Sequence, residues 1–522
     1  MRSCQEKIAA CVVGGLLIFV TGCSAQTVPR PATPSPAPPP PPPTATQSAA
    51  SQEVALSTAT PTPTRRPSPT PTPPVEPMPI PTPSGSPFVL HTISAGETLG
   101  YIAALYNTDL ETLVKMNNLD GPEAIIQVDQ SLRVPVQTDE IAPATPLIPD
   151  SEVVYSPAFV DFDIAAYIDE QGGYLASYEQ YVDSELLTGP EIVERVAEQF
   201  SVGPRLLLAL LDYYGEWVTN PSPTELQLSQ PLGPHNPRGE DLYRALSFTA
   251  NRINAGYYGY KRDGFWIFYL PDGSQAISAQ GVNAGTIGLQ NILAIYSDWD
   301  TWQKELNGDG LLSTYKKMFG DPFDHAVNPV VPITLKQPPL SLPWEVGKGF
   351  YFTSGPHGGY VDGSGWAAID FGPPDVLGNC FYSAEPATAA ADGVVVVARP
   401  GEIYLDLDGD GNNQTGWVLL YLHTALDVDT PVQVGQHLKK GDVIGYASCE
   451  AGLSNSSHVH FARRYNGEWL AAGGPVPMNL DGWVVQPNLV PYDGKMVRGD
   501  ETRISCECWD PEMNLIVNAG GG

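Results

Sequence analysis

Four of the chain's eight histidines can be set beside one aspartate as a single group: His357, Asp370, His423, His458 and His460. His458 and His460 are one residue apart. On a β-strand, side chains alternate between faces, so both imidazoles point to the same side, roughly 7 Å apart along the strand. A catalytic zinc takes three protein ligands of His and Asp/Glu type and leaves its fourth position to water, whose pKa falls to about 7. Two imidazoles and one carboxylate satisfy that demand, and the chemistry they offer is metal-assisted hydrolysis. His423 on its own, after the apolar run Val418 to Leu422, reads equally well as a core histidine, and only its company changes that. His437 reads as a solvated turn residue, and His91, His235 and His325 lie outside this region.

Such residues need rigid support. Val394 to Ala398, Val418 to Leu422 and Val443 to Ala447 are short apolar runs separated by Gly/Asp turns, the pattern of a mostly antiparallel β domain. The pair His458-Val459-His460 stands between the polar run Asn455-Ser456-Ser457 and Tyr465-Asn466-Gly467, so its strand leaves one loop and ends in another.

From about Trp344 to Trp469 a set of motifs follows in order: Ser354-Gly355-Pro356-His357, Ala368-Ile369-Asp370-Phe371, Ala391-Asp392-Gly393-Val394-Val395, Tyr421-Leu422-His423, Lys440-Gly441-Asp442-Val443-Ile444-Gly445 and His458-Val459-His460-Phe461. This region resembles the peptidoglycan-cleaving zinc endopeptidases of the lysostaphin, LytM and LasA type. The resemblance implies an antiparallel β domain with zinc in a groove above a sheet. It also implies His357, Asp370 and His460 as ligands, with His423 and His458 as the catalytic pair beside them. One departure matters: most members place the first ligand four residues before the aspartate, where this chain has Trp366. The LasA-like branch uses an upstream Gly-Pro-His instead, and His357 matches it. Without His357 the site would have two ligands. The alternative is then an inactive lipoprotein that binds peptidoglycan and activates another hydrolase.

The N-terminus reads as an export signal. Arg2 and Lys7 precede the apolar run Ile8 to Val20, which is shorter than the roughly 20 residues a spanning helix needs. The residues before Cys23 resemble a bacterial lipobox, which implies lipid on Cys23 and attachment to the outer face of the membrane; a plain signal-peptidase site is the other reading. From Arg30 to Pro87, Pro, Thr, Ser and Ala dominate and no core can form. At about 3.1 Å per residue, a polyproline-like tether of this kind reaches on the order of 150 Å.

Residues 88–137 read as a small βααβ unit. Through Gly96-Glu97-Thr98-Leu99, Asn117-Asn118-Leu119 and Gln130 to Pro135 it resembles a LysM domain, which implies binding of N-acetylglucosamine-containing glycan. Gly96, Thr98 and Asn118 are candidate sugar contacts, and turn and cap roles fit each of them as well. A linker is expected over 138–152. The span 153–335 reads mainly helical, with Ile192, Val193, Val196 and Phe200 on one helix face and a second helix opened by Pro204. Glu216 faintly resembles the acid of lysozyme-like transglycosylases but falls out of register, so a spacer or recognition role is preferred. The peptidase domain is expected over 336–490, with a C-terminal extension at 491–522.

Three smaller expectations remain. Asp406, Asp408 and Asp410 alternate as in a Ca²⁺ loop, although the twelfth position is Trp417 instead of glutamate. After export and lipidation four cysteines remain; Cys380 with Cys449 is the favoured disulfide because both flank the peptidase sheet, and Cys506 and Cys508 stay undecided. With 27 basic and 58 acidic residues the net charge is −31, which argues against nucleic acid as a partner. The expected partners are peptidoglycan, through its glycan and its stem or bridge peptides, and the membrane, through the lipid.

Overall fold

A computed structural model describes residues 76–81, 86–239 and 241–520. The signal segment, Cys23 and most of the Pro/Thr-rich stretch lie outside the described residues. No described helix is long and apolar enough to cross a membrane.

The fold is multidomain, with a small βααβ unit, a mainly helical middle region and an antiparallel β C-terminal region. In the first, strands Phe88–Thr92 and Ser131–Pro135 pair antiparallel around helices Leu99–Leu105 and Leu110–Met116. Ile102, Leu113 and Val134 fill its core. Thr98 caps the first helix by accepting from the Tyr101 amide, while Gly96 and Asn118 take positive φ values of 91° and 51°. The three candidate sugar contacts thus serve as turn and cap residues here.

The middle region is built on helices Gly189–Phe200, Pro204–Gly215, Leu242–Asp263 and Ala284–Tyr296. Thr188 and Glu191 form a capping box at the start of the first, and Ile192, Val193, Val196 and Phe200 are buried along its inner face. The last two helices approach closely at Gly256 and Gly288: a Cβ at Gly256 would fall 2.7 Å from the Asn291 Cβ. The segment 138–152, expected as a linker, is docked on this bundle. Ala142, Leu147 and Ile148 are buried, and the Leu147 amide donates to Thr286 Oγ1 at 2.8 Å. Two apolar residues at its end suffice to anchor it, too few to register as a pattern.

In the C-terminal region the central sheet runs His437–Leu438, Gly393–Arg399, Gly401–Asp406, Trp417–Ala425, Val459–Tyr465, Ala368–Gly372, Gly349–His357 and Leu515–Val517, every neighbour antiparallel. Both faces are covered. Leu419, Tyr421, Val459 and Phe461 point into a core within the β region, while Leu420, Leu422, Ala462 and Ala368 join the core of the helical bundle. This double burial explains why Val418 to Leu422 reads as a continuous apolar run. The extension expected at 491–522 supplies an edge strand, Leu515–Val517, and so belongs to the sheet.

Candidate metal centre

Cross-strand register brings the first two residues together. His460 stands opposite Asp370 on one side and opposite Leu422 on the other. Irregularities in the strand Gly349–His357 carry His357 opposite Ala368, at the end of the same face. His458 precedes His460 by two residues, and its Nε2 lies 3.5 Å from Asp370 Oδ1, so the two share a side.

His423 arrives by a different route. Simple alternation would send it to the opposite face with Leu419 and Tyr421. Instead the pairing of Gly401 with Thr424 and of Glu402 with Leu422 leaves His423 as the extra residue of a β-bulge, with φ of +53°. Bulges re-aim side chains beside active sites. Here the ring centroid comes within 4.6 Å of His458 and 5.9 Å of His460.

Backbone carbonyls set the tautomers. His357 Nδ1 meets Gly355 O at 2.8 Å, His460 Nε2 meets Gly359 O at 3.0 Å, His423 Nδ1 meets Glu450 O at 2.9 Å and His458 Nδ1 meets Ser456 O at 2.7 Å. A carbonyl only accepts, so each of these nitrogens carries the proton and each neutral ring keeps a lone pair on the other. His357 Nε2 and His460 Nδ1 then face each other at 3.0 Å, with Asp370 Oδ1 at 3.3 and 3.1 Å. That oxygen is buried without a hydrogen-bond donor. Three acceptor atoms pointing at one another demand a cation. His357, Asp370 and His460 offer one ligand atom each within 4.8 Å, and His423, His458 and His460 form an overlapping trio. The first set contains the carboxylate and is buried throughout, so it fits a divalent metal better.

Burial opposes charge on Asp370, but positive charge on the neighbouring His357 and His458, when those rings are protonated, outweighs it and holds the carboxyl well below the usual range. For His423, burial first and then His458 and His460 push the pKa down to about 3, so the ring is neutral.

Two further groups complete the site. The Tyr492 ring stacks on His357, centroids 4.6 Å apart and planes at 19°, from a residue whose own φ is +71°. Sequence reasoning missed it, since nothing around Val490-Pro491-Tyr492 marks a site. Cys380 and Cys449 are bonded, with Cα atoms 5.5 Å apart, and Glu450 after them supplies the carbonyl that holds His423. Cys506 and Cys508 bond to each other.

With this geometry in view, three family matches divide the chain: LysM domain at residues 91–135, LasA N-terminal domain at 146–331 and peptidase family M23 at 381–476. The protein is a metallo-endopeptidase, and its residues 381–476 match peptidase family M23. His423, His458 and His460 lie inside the M23 match, while His357 and Asp370 lie upstream of it. Protease LasA of Pseudomonas aeruginosa is 24% identical over 342 residues, covering 61% of this chain and 74% of that protein, in both strain PAO1 and strain UCBPP-PA14. Among solved structures, the deep-sea M23 metalloprotease pseudoalterin is 19% identical over 33% of this chain and 97% of its own, with a TM-score of 0.26. The catalytic domain of lysostaphin from Staphylococcus simulans is 24% identical over 24% of this chain and 88% of its own, with a TM-score of 0.17.

Two other expectations fare differently in this metallo-endopeptidase. Glu216 is exposed at a helix C-cap, where it accepts from Asn220 Nδ2 at 3.2 Å; with the LasA match over the whole bundle, nothing supports a transglycosylase there. Asp406, Asp408 and Asp410 do converge. The oxygens of Asp406 and Asp410, however, close the loop on itself: Asp406 accepts from the amides of Asp408 and Gly411, and Asp410 from the Asn412 amide and Thr415 Oγ1. Calcium therefore finds no support as a cofactor.

Proposed function

We propose that this chain is a zinc endopeptidase that hydrolyses peptide cross-links or bridges in peptidoglycan. The observation that carries the reading is the convergence of His357 Nε2, Asp370 Oδ1 and His460 Nδ1, three lone-pair atoms 3.0, 3.1 and 3.3 Å from one another. When bound there, zinc supplies a polarised scissile carbonyl and a water of lowered pKa. The protein's own part is to orient and to move protons. Asp370 brings the negative charge, and Gly355 and Gly359 carbonyls hold the two ligand imidazoles with their lone pairs inward. His423 and His458, fixed through Nδ1–H to backbone carbonyls, each present an Nε2 lone pair to the substrate side, where one would accept the water proton and, once protonated at Nε2, donate it to the leaving amine.

On this reading the LysM region holds N-acetylglucosamine-containing glycan, with Gly96, Thr98 and Asn118 at the contact. Lipid on Cys23 ties the enzyme to the outer face of the membrane, and the Pro/Thr-rich tether gives it reach into the wall. The domain limits are those drawn from the sequence, moved so that residues 138–152 join the helical domain and 491–520 join the peptidase.

The test is mass spectrometry of peptidoglycan digested by protein beginning after Cys23, beside a His458→Ala control. New amine and carboxyl ends that vanish in the control name the bond. Unchanged muropeptides from a zinc-free protein establish the binding and activating lipoprotein instead.

A further inference from the structure

We infer that the helical domain is a working part of the metal site, and that Asn251 on its long helix is a positioning residue for His460. This inference rests on the proposed zinc site.

The ligands His460 and Asp370 lie on the sheet face that the helical bundle covers, in line with Ala462, Leu422 and Ala368 of the shared core. Between His357 and the strand Ala368–Gly372 the chain makes a loop over residues 358–367, and the bundle grips it. Asn251 does so with both ends of its amide: its Nδ2 donates to Asp362 Oδ1 at 2.7 Å, and its Oδ1 accepts from the Gly363 amide at 2.8 Å. Arg252 adds a contact to Asp362 Oδ2 at 3.4 Å. Only glycine fits at 363, because a Cβ would stand 2.1 Å from the Asn251 carbonyl oxygen. Tyr360 meets Phe200 edge-on with centroids 5.2 Å apart, and Tyr360 and Val361 pack on the bundle core.

That loop carries a working group. The Gly359 carbonyl accepts the Nε2 proton of His460 at 3.0 Å and so keeps the Nδ1 lone pair inward. Gly359 itself is set against Trp469, where a Cβ would fall 2.2 Å from the indole ring. Trp469 is held in turn by the bundle, its amide accepted by Tyr258 Oη at 3.0 Å and its Nε1 donating to Phe200 O at 3.2 Å. The loop closes on itself through the Gly359 amide to Gly365 O, so a shift at Gly363 is felt at Gly359. Asn251 touches no metal ligand, and its effect runs through the position of one carbonyl.

The test uses the full chain after Cys23, with zinc affinity read by chelator competition and the visible bands of the cobalt-substituted protein read as a geometric signature. Asn251→Ala and Asp362→Ala are expected to weaken zinc about tenfold, the low end for loss of an outer partner. They should shift the cobalt bands and recover turnover at saturating zinc. Asp362 is 76% exposed, so its variant folds even if Asn251→Ala does not. Asn413→Ala, which cuts a contact to Glu198 elsewhere in the same interface, should change neither reading. Unchanged affinity and bands in the first two variants overturn the inference, as does an equal loss in Asn413→Ala. Asp370→Asn separates the levels: zinc retained there refutes the site itself, whereas zinc lost there with Asn251→Ala unaffected refutes only the positioning role.

Discussion

His357 Nε2 and His460 Nδ1 approach to 3.0 Å although each ring already donates its proton to a backbone carbonyl. Two lone pairs this close, beside a buried carboxylate oxygen with no donor, are costly without a cation between them. Metal should therefore stabilise the fold as well as drive the chemistry. Removing it with a chelator is expected to lower the melting temperature by several degrees, and added zinc to restore it. Asp370→Asn should show neither response to metal, as scanning calorimetry would reveal.

His423 and His458 are expected to be needed for turnover and dispensable for metal. His423→Ala and His458→Ala should each keep zinc by elemental analysis while kcat falls on the order of 10²–10⁴-fold, the range for loss of a positioned proton-transfer group. Turnover retained in either variant would remove that residue from the mechanism.

Tyr492 is expected to act as a wall against His357 through its ring. Tyr492→Phe keeps the stacked face and should hold the metal normally, while Tyr492→Ala exposes the imidazole and should weaken zinc severalfold in chelator competition.

The disulfide Cys380–Cys449 closes a separation of 69 residues, which in the chain-entropy picture is worth about 4 kcal/mol. It also anchors the strand end before Glu450, whose carbonyl fixes His423 and whose carboxylate accepts from Tyr382 Oη at 2.8 Å. A Cys380→Ala, Cys449→Ala protein should unfold at lower urea and lose activity at urea concentrations where zinc is still bound. Parallel denaturation and metal-release curves test this.

Asp408 supplies a pH signature. Burial first, and then Asp406 beside it, raise its carboxyl to about 6. The native state then keeps a proton that the unfolded chain gives up between about pH 4 and pH 6, so this group's contribution to stability falls as pH rises through that window. Asp408→Asn should match the parent at pH 4 and exceed it above pH 6. The site is largely exposed, so solvent screening limits the gain to about 1 kcal/mol. Urea midpoints at pH 4 and 7 give the answer, and a parent protein stabilised by added calcium at pH 7 would reverse the reading of this loop.

Much of the candidate site is written in the sequence. His458-Val459-His460 shares a face by strand alternation alone, and the order of His357, Asp370 and that pair carries the family resemblance. The helix Gly189–Phe200 likewise announces its buried face through Ile192, Val193, Val196 and Phe200. These are local facts, repeated every two or every 3.6 residues. The rest comes from contacts between distant residues. His423 joins the site only because a bulge against Gly401 and Glu402 breaks alternation, and Tyr492 only because its backbone pairs with the strand bearing His357. Which imidazole nitrogen faces the metal depends on carbonyls at Gly355, Gly359, Glu450 and Ser456, whose positions belong to loops. That the helical domain covers the ligand-bearing face is decided by packing alone, since no local period records which of two buried faces meets which core.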